Sequence, residues 1–188
     1  EGELHVPFTA RDLTLAVLHD LGSNGALGRA VEFVGPTIEA LDLAGRITLA
    51  SQVTEMGGII GFPVNGLAEQ RVSGIASAEP LLLTPYSLLP DPDANYVETV
   101  TVDITDLEPL IACPPSPSNV KPVREVAGRR VDSVFLGSCT NGRFEDFAAV
   151  AEVVRGRRIA PHVMATVVPA TRCVYEQMLR TGVLETLF

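Results

Sequence analysis

One cysteine in this sequence stands where a thiol could take part in chemistry. An apolar run ending at Leu136 leads into the loop Gly-Ser-Cys-Thr-Asn-Gly-Arg, residues 137–143, and a helical pattern of apolar residues follows. Cys139 would therefore lie beyond the carboxyl end of a strand, where ligands bind in open parallel sheets. The unpaired amides and the dipole of the following helix would favour a thiolate there. We expect Cys139 to act as a metal ligand or as a nucleophile.

A structural interpretation of the same loop stays open beside the chemical one. The loop could be a tight strand-to-helix turn in which Asn141 caps the helix and Cys139 is half-buried, as cysteines often are. A cysteine nucleophile would also need a nearby base. None of the three histidines, His5, His19 and His162, lies in the loop.

Glu55 is a second candidate for chemistry. It ends an apolar helical pattern just before Gly57 and Gly58. A carboxylate at this position could transfer protons if burial raised its pKa. The alternative is a glutamate that faces water at a helix end, which is unfavourable by only about a few tenths of a kcal/mol.

Composition limits the class of protein. The chain has 188 residues, 46% hydrophobic and 20% charged, a balance typical of a globular protein with a substantial core. The formal net charge of -9 disfavours nucleic acid and anionic lipid as partners, and no apolar run is long enough for a membrane span. Three widely spaced cysteines exclude a disulfide framework and a local zinc site. We therefore expect a cytoplasmic protein with no membrane or nucleic-acid partner.

Helices and strands alternate along the chain and must position these side chains. Strands are predicted at residues 29–34, 59–64, 96–104, 131–136 and 162–168. Helices are predicted from Thr9 to Gly22, from Pro36, over 46–56, over 65–79, over 144–154 and from Thr171 to Gly182. This order predicts an α/β protein with mainly parallel sheets covered by helices. Residues 80–95 contain four prolines and are predicted to be a linker between domains at 1–79 and 96–188.

Three stretches of the sequence resemble the aconitase superfamily. FLGSCTNGRFEDF, residues 135–147, is similar to its first cluster-ligand motif, and most similar to the form found in large subunits of 3-isopropylmalate dehydratases and homoaconitases. Residues 8–58 resemble the segment before that motif, and residues 167–188 resemble the segment that leads to the second cluster motif. The resemblance implies two small three-layer α/β domains: an aconitase-like second domain at 1–79 and the first part of the third at 96–188.

The resemblance also implies a chemistry. Enzymes of this family isomerise hydroxy-carboxylic acids by removing and re-adding water at a [4Fe-4S] cluster, whose open iron acts as a Lewis acid. Cys139 matches the first of three cysteine ligands, and Glu55 matches the acid that contacts the departing hydroxyl. Ser51 stands where the family commonly has asparagine, and no role is assigned to it.

By the same resemblance, the 188 residues are expected to need further protein for activity. The family's other two cluster cysteines belong to a Cys-Gly-Pro-Cys motif expected after Phe188, so this chain alone is expected to bind no cluster and to be inactive. The intact enzyme would add the remaining large-subunit domains and a small subunit, and would act on a small hydroxy-diacid. The alternatives are an aconitase or homoaconitase large subunit, a separate module that binds the missing domains, and a cysteine-nucleophile enzyme.

Overall fold

The computed structural model describes residues 2–4, 8–63 and 91–188. The chain divides by its internal contacts into two compact units, Glu1–Ala127 and Gly128–Phe188. The helix predicted at 65–79 and the part of the predicted linker at 80–90 lie outside the described residues.

The first unit begins with a capped helix, α1 (Ala10–Leu21). The Thr9 hydroxyl accepts a hydrogen bond from the N–H of Arg11 at 3.2 Å, and the Asp12 carboxylate accepts one from the N–H of Thr9 at 2.9 Å. This reciprocal pair satisfies amides that have no partner within the helix. The helix ends at Gly22, whose φ of +69° suits glycine. Both predicted ends of α1 are confirmed.

A small parallel sheet with two further helices follows α1. The elements are β1 (Ala30–Phe33), α2 (Pro36–Ala40), α3 (Leu43–Ser51), a 3-10 helix (Gln52–Met56) and β2 (Ile60–Pro63). β1 and β2 pair in parallel with Ala30 opposite Ile60. Leu18 of α1 is 1% exposed, and Leu49 and Val53 are 0% exposed, so they lie in the centre of the core. The helix predicted over 46–56 is therefore observed as two parts. The α-helix α3 starts at Leu43, before the predicted start, and the 3-10 helix Gln52–Met56 follows it directly.

Residues 91–127 complete the first unit. They contain an antiparallel hairpin of β3 (Leu110–Ala112) and β4 (Val120–Pro122), followed by a 3-10 turn, Val123–Val126. Ile104 and Val120 are buried in the same core as α1. The observed units therefore differ from the predicted domains over residues 96–127, because these two apolar side chains pack with the first unit.

The strand predicted at residues 96–104 does not form in the structure. These residues are not part of any described strand. Their alternating pattern predicts which side chains point inward, but a strand also requires a neighbouring backbone at hydrogen-bonding distance.

The second unit repeats the strand–helix alternation. Its elements are β5 (Ser133–Leu136), α4 (Phe144–Val154), β6 (Met164–Val167), α5 (Arg172–Thr181) and α6 (Val183–Leu187). β5 and β6 pair in parallel, with Ser133 opposite Met164, and the buried side chains of Phe147, Ala151 and Met178 come from the helices. α6 was not predicted. The small parallel sheets with helices confirm the predicted α/β class. No helix in the described ranges has the length and apolar character needed to cross a membrane.

Candidate functional site

Cys139 lies at the C-terminal edge of the β5–β6 pair, where the sequence predicted it. The N–H of Val168 donates to the carbonyl of Leu136 at 2.8 Å, and the N–H of Ala170 donates to the carbonyl of Gly142 at 2.8 Å. These bonds hold the loop after β5 against the segment after β6. The Cys139 side chain is exposed, so it is accessible to a metal centre rather than half-buried as the structural interpretation expected.

Two glycines allow this close approach of the two segments. Gly137 has a φ of +144°, and a Cβ on it would lie 2.5 Å from the carbonyl oxygen of Val168. Gly142 has a φ of +81°, and its Cβ would lie 3.1 Å from the same oxygen. Residues with a side chain are strained in this region of φ. The two glycines on either side of Cys139 are therefore required by the backbone path of the loop.

Ser138 fixes the backbone on which Cys139 stands. Its Oγ accepts hydrogen bonds from the N–H of Thr140 at 3.0 Å and from the N–H of Asn141 at 2.9 Å. The Thr140 hydroxyl is 3.8 Å from Cys139 Sγ, within reach of a weak hydrogen bond. Cys139 is thus held at the tip of a turn that is closed by the side chain before it.

Asp146 fixes the other side of the loop. Its Oδ2 accepts from the N–H of Gly142 and from the N–H of Arg143, each at 2.9 Å. The N-cap of α4 is Arg143, so the interpretation of Asn141 as the cap is wrong. The sequence reasoning missed Asp146, although an acid three residues after the N-cap is a known signal of a carboxylate that binds the amides at the start of a helix.

The amides of residues 140–143, in the loop before α4, are not free to bind a thiolate. All four amides donate to side-chain oxygens of Ser138 or Asp146. The loop therefore has no need of an anion to satisfy these donors. What it offers at its tip is an exposed thiol on a tightly held backbone.

A small cavity of about 130 Å³ lies against the base of the loop. It is lined by residues of β5, of the loop and of the first turns of α4, including Phe135, Asn141 and Phe147. Nearby in sequence, Arg143 Nε is buried and has no hydrogen-bond partner within the described part of the chain. An unpaired guanidinium N–H is costly to bury, so this atom would gain from an acceptor.

Glu55 lies on the 3-10 helix that continues α3, and its neighbours fix the backbone there. Val53 and Met56 are both 0% exposed. The carbonyl of Met56 accepts from the N–H of Ala26 at 3.0 Å, and the carbonyl of Gly57 accepts from the N–H of Gly28 at 3.0 Å. The turn that carries Glu55 is thereby attached to the loop before β1.

The glycines after Glu55 are required by close packing. Gly57 has a φ of +79°, and a Cβ on Gly58 would lie 2.3 Å from Val53 Cγ1. The chain can therefore turn directly from the 3-10 helix into β2. The side chain of Glu55 is exposed, so the described residues do not provide the burial expected around a proton-transfer carboxylate.

The predicted site residues are divided between the two compact units of the chain. Glu55 belongs to the first unit and Cys139 to the second. Cys113 follows β3, where its N–H donates to the carbonyl of Asn119 at 2.9 Å, and Cys173 lies in α5. Over the described ranges, no three His, Cys, Asp or Glu side chains are close enough together to hold a metal ion.

Comparison with protein families identifies the lineage of this chain. The model of the aconitase family (aconitate hydratase) matches residues 1–188. The chain belongs to the aconitase family. The resemblance seen in residues 8–58, 135–147 and 167–188 is therefore confirmed, and with it the assignment to a family of hydro-lyases.

Individual relatives are named as large subunits. The chain is 43% identical over 177 residues to the 3-isopropylmalate dehydratase large subunit of Nitratidesulfovibrio vulgaris, covering 94% of this chain and 41% of the relative. It is 40% identical to the 3-isopropylmalate dehydratase large subunit 1 of Methanopyrus kandleri, covering 99% of this chain and 44% of the relative. It is also 40% identical to the probable methanogen homoaconitase large subunit of Methanothermobacter thermautotrophicus, covering 99% and 42%. The chain spans less than half the length of these relatives.

Proposed function

We propose that this chain forms part of a hydro-lyase that isomerises a hydroxy-diacid of the 3-isopropylmalate type by dehydration and rehydration. The observation that carries the proposal is the exposed Cys139 on its tightly held loop, in a chain 43% identical to a 3-isopropylmalate dehydratase large subunit. Homoaconitase activity is the second candidate, and the 40% identity to a probable homoaconitase large subunit supports it.

Cys139 would supply one ligand to a [4Fe-4S] cluster. Thiolates are the usual ligands of such clusters, and Cys139 fits this role because its side chain is exposed at the edge of the sheet. When bound, the cluster would supply a Lewis acid for the substrate hydroxyl and carboxylate. The described residues contribute a single cysteine to this loop, so the remaining ligands would come from other parts of the enzyme.

The loop residues would orient that ligand without binding the cluster themselves. The hydrogen bonds of Ser138 and Asp146 keep the four amides around Cys139 in one conformation. A ligand held in one conformation loses less entropy on binding than a mobile one. Their contribution would thus be to position the thiolate.

Glu55 would hold or accept the proton that accompanies the departing hydroxyl. The buried side chains of Val53 and Met56 hold the backbone of Glu55 in place. The carboxylate therefore extends from a fixed backbone position. Proton transfer is most effective when the pKa of the group lies near the working pH. The Glu55 carboxylate is exposed in this chain, so other parts of the enzyme would have to enclose it for this role.

The partners would be the remaining large-subunit domains and a small subunit. The names of the relatives as large subunits support the second of these. We also propose a cytoplasmic location, because an exposed thiol such as Cys139 is best preserved in a reducing compartment.

The test is mutagenesis in the complete large subunit with its small subunit. Cys139→Ser should lose cluster iron and activity, because a serine hydroxyl is a harder and less acidic ligand than a thiolate. Cys113→Ser is the matched control and should keep both, as should Cys173→Ser. Glu55→Gln should keep the iron and lower turnover by about 10²–10⁴-fold, the loss expected for a proton-transfer group.

The outcomes separate the parts of the proposal. If Cys139→Ser retains iron and activity while Cys113→Ser or Cys173→Ser loses them, Cys139 is not the cluster ligand. If Glu55→Gln turns over substrate at the normal rate, Glu55 is not the proton-transfer group. Turnover of homocitrate-type substrates in preference to 3-isopropylmalate would favour the homoaconitase alternative.

A further inference from the structure

Three serine hydroxyls of the first unit meet between the loop after α1 and the loop of the β3–β4 hairpin. The hydroxyl of Ser23 donates to Ser118 Oγ at 2.6 Å. Ser116 Oγ lies 2.9 Å from Ser118 Oγ and 3.4 Å from Ser23 Oγ. Ser23 and Ser118 are 95 positions apart in the sequence, so this cluster, here called the serine clip, joins two distant segments of the chain.

The hydroxyls of the serine clip satisfy one another. Each has one proton to donate and can accept two hydrogen bonds, so each can donate to the next around the triangle. Ser116 Oγ also accepts from the N–H of Ser118 at 3.3 Å. All three side chains are half-buried, and a hydroxyl that is partly removed from water gains from a partner within the protein. The clip therefore holds together through its own side chains.

The hairpin side of the clip is a closed loop. The N–H of Cys113 donates to the carbonyl of Asn119 at 2.9 Å, and the N–H of Asn119 donates to the carbonyl of Ser116 at 3.0 Å. Val120, which begins β4 just after this loop, is 6% exposed and belongs to the core of the unit. Ser118 is thus carried by a loop that its own backbone closes and that the core anchors.

The other side of the clip contacts the turn that carries Glu55. The carbonyl of Gly57 accepts from the N–H of Gly28 at 3.0 Å. The backbone of Ser23 also packs against this turn, because a Cβ on Gly57 would lie 3.2 Å from the carbonyl oxygen of Ser23. Ser23 therefore contacts the Glu55 turn through its backbone and the hairpin through its side chain.

We propose that the hydrogen bond between Ser23 and Ser118 positions the Glu55 turn by fixing the loop after α1 to the hairpin. The side chain of Glu55 is exposed, so the position of its carboxylate depends on the backbone that carries it. A group that transfers a proton must lie within hydrogen-bond reach of the reacting atom, and a small displacement lowers the rate. This consequence rests on the proposed function, in which Ser23 and Ser118 are positioning residues.

The distances distinguish the two serines of the hairpin. Ser118 makes the 2.6 Å bond to Ser23, whereas Ser116 lies 3.4 Å from it. Ser118→Ala removes the short bond between the two loops. Ser116→Ala leaves that bond in place and removes a hydroxyl from the same loop, two positions away. It is therefore the matched control for a loss of the link.

Deuterium exchange in the complete large subunit with its small subunit tests the link. The amides of Ala26 and Gly28 donate to the carbonyls of the Glu55 turn, so their exchange reports whether the loop stays attached to it. Ser118→Ala should accelerate this exchange at least about 3-fold, the effect expected for one hydrogen bond between neutral groups. Ser23→Ala removes the same bond from the other side and should accelerate it equally.

Two comparisons decide whether this bond is responsible. Ser116→Ala should accelerate the same exchange by less than about 1.5-fold, because the short bond remains. The double variant Ser23→Ala/Ser118→Ala should exchange no faster than either single variant, since both remove one interaction. Equal acceleration by Ser116→Ala and Ser118→Ala, or no acceleration by Ser118→Ala, would overturn the inference.

Turnover tests whether the clip acts through Glu55. Ser118→Ala should lower kcat at least about 3-fold and leave KM within about 2-fold of its normal value, because it displaces the proton-transfer group without removing a substrate contact. In a Glu55→Gln background it should lower kcat by less than about 1.5-fold, since no carboxylate is left to position. An equal loss in both backgrounds would overturn the positioning role. Normal turnover by Glu55→Gln would remove the proposed function alone, because the exchange rates do not depend on activity.

Discussion

Replacing Asp146 by alanine should loosen the loop that presents Cys139. One carboxylate oxygen, Oδ2, accepts hydrogen bonds from the amides of Gly142 and Arg143, each at 2.9 Å. Gly142 is buried, so water cannot readily replace the lost acceptor. The variant therefore leaves at least one buried amide without a partner.

The expected cost follows from these two bonds. A hydrogen bond to a charged group contributes about 1.5–3 kcal/mol, and loss of a helix-capping side chain costs about 0.5–2 kcal/mol. Both bonds share one oxygen, and the amide of Arg143 can be partly hydrated, so the contributions do not add fully. We expect a loss of about 2 kcal/mol in local stability, which corresponds to a roughly 30-fold increase in the opening equilibrium.

Deuterium exchange of the amides in residues 137–143 measures this opening. Exchange should be roughly 30-fold faster in Asp146→Ala. Asp146→Asn keeps an acceptor oxygen, so its amide exchange should accelerate less than that of Asp146→Ala. Glu145→Ala is the matched control, because Glu145 is the adjacent acid of the same helical turn and is exposed. If Asp146→Ala and Glu145→Ala exchange alike, the carboxylate does not hold the loop and the reasoning fails.

Two further predictions concern a glycine and a tyrosine. Gly137→Ala should destabilise the second unit by about 2 kcal/mol or more, because its φ is +144° and the new Cβ would meet the carbonyl of Val168 at 2.5 Å. Gly156 has a φ of +69° and open space around it, so Gly156→Ala should lower the free energy of unfolding by only about 1 kcal/mol. Equal decreases for the two variants, measured by denaturant unfolding, would contradict the steric explanation. The hydrogen bond to Glu32 raises the pKa of Tyr96, so its contribution is intact below about pH 10 and is lost as the pH rises through the raised value. Glu32→Ala should move to lower pH the phenolate absorbance step of Tyr96, identified as the step that is absent from Tyr96→Phe, and an unchanged step would refute this.

Local sequence signals predicted most of the elements because the responsible interactions span only a few residues. Thr9 caps α1 as expected, and Gly22 ends it. The Thr171 hydroxyl accepts from the N–H of Val174 at 3.2 Å to begin α5, which ends at Gly182. In each case the donor and the acceptor lie within one helical turn, so the sequence contains the whole interaction.

The Cys139 loop shows where such signals are insufficient. The position of the loop after a strand was predictable from the apolar run before it. The choice of Asp146 over Asn141 as the acceptor was missed, because both residues have side chains that can bind helix amides. In the structure, the amides of Gly142 and Arg143 point to Asp146 Oδ2, each at 2.9 Å.

The sequence by itself determined the ends of α1 and α5, the α/β order, the family and the two candidate residues, Cys139 and Glu55. Only the tertiary structure decided that Cys139 is exposed, that its neighbouring amides are already bonded, and that residues 96–127 pack with the first unit. It also decided that residues 96–104 do not form a strand. The physical reason is that exposure and strand pairing depend on contacts between residues far apart in the chain, which a local pattern does not encode.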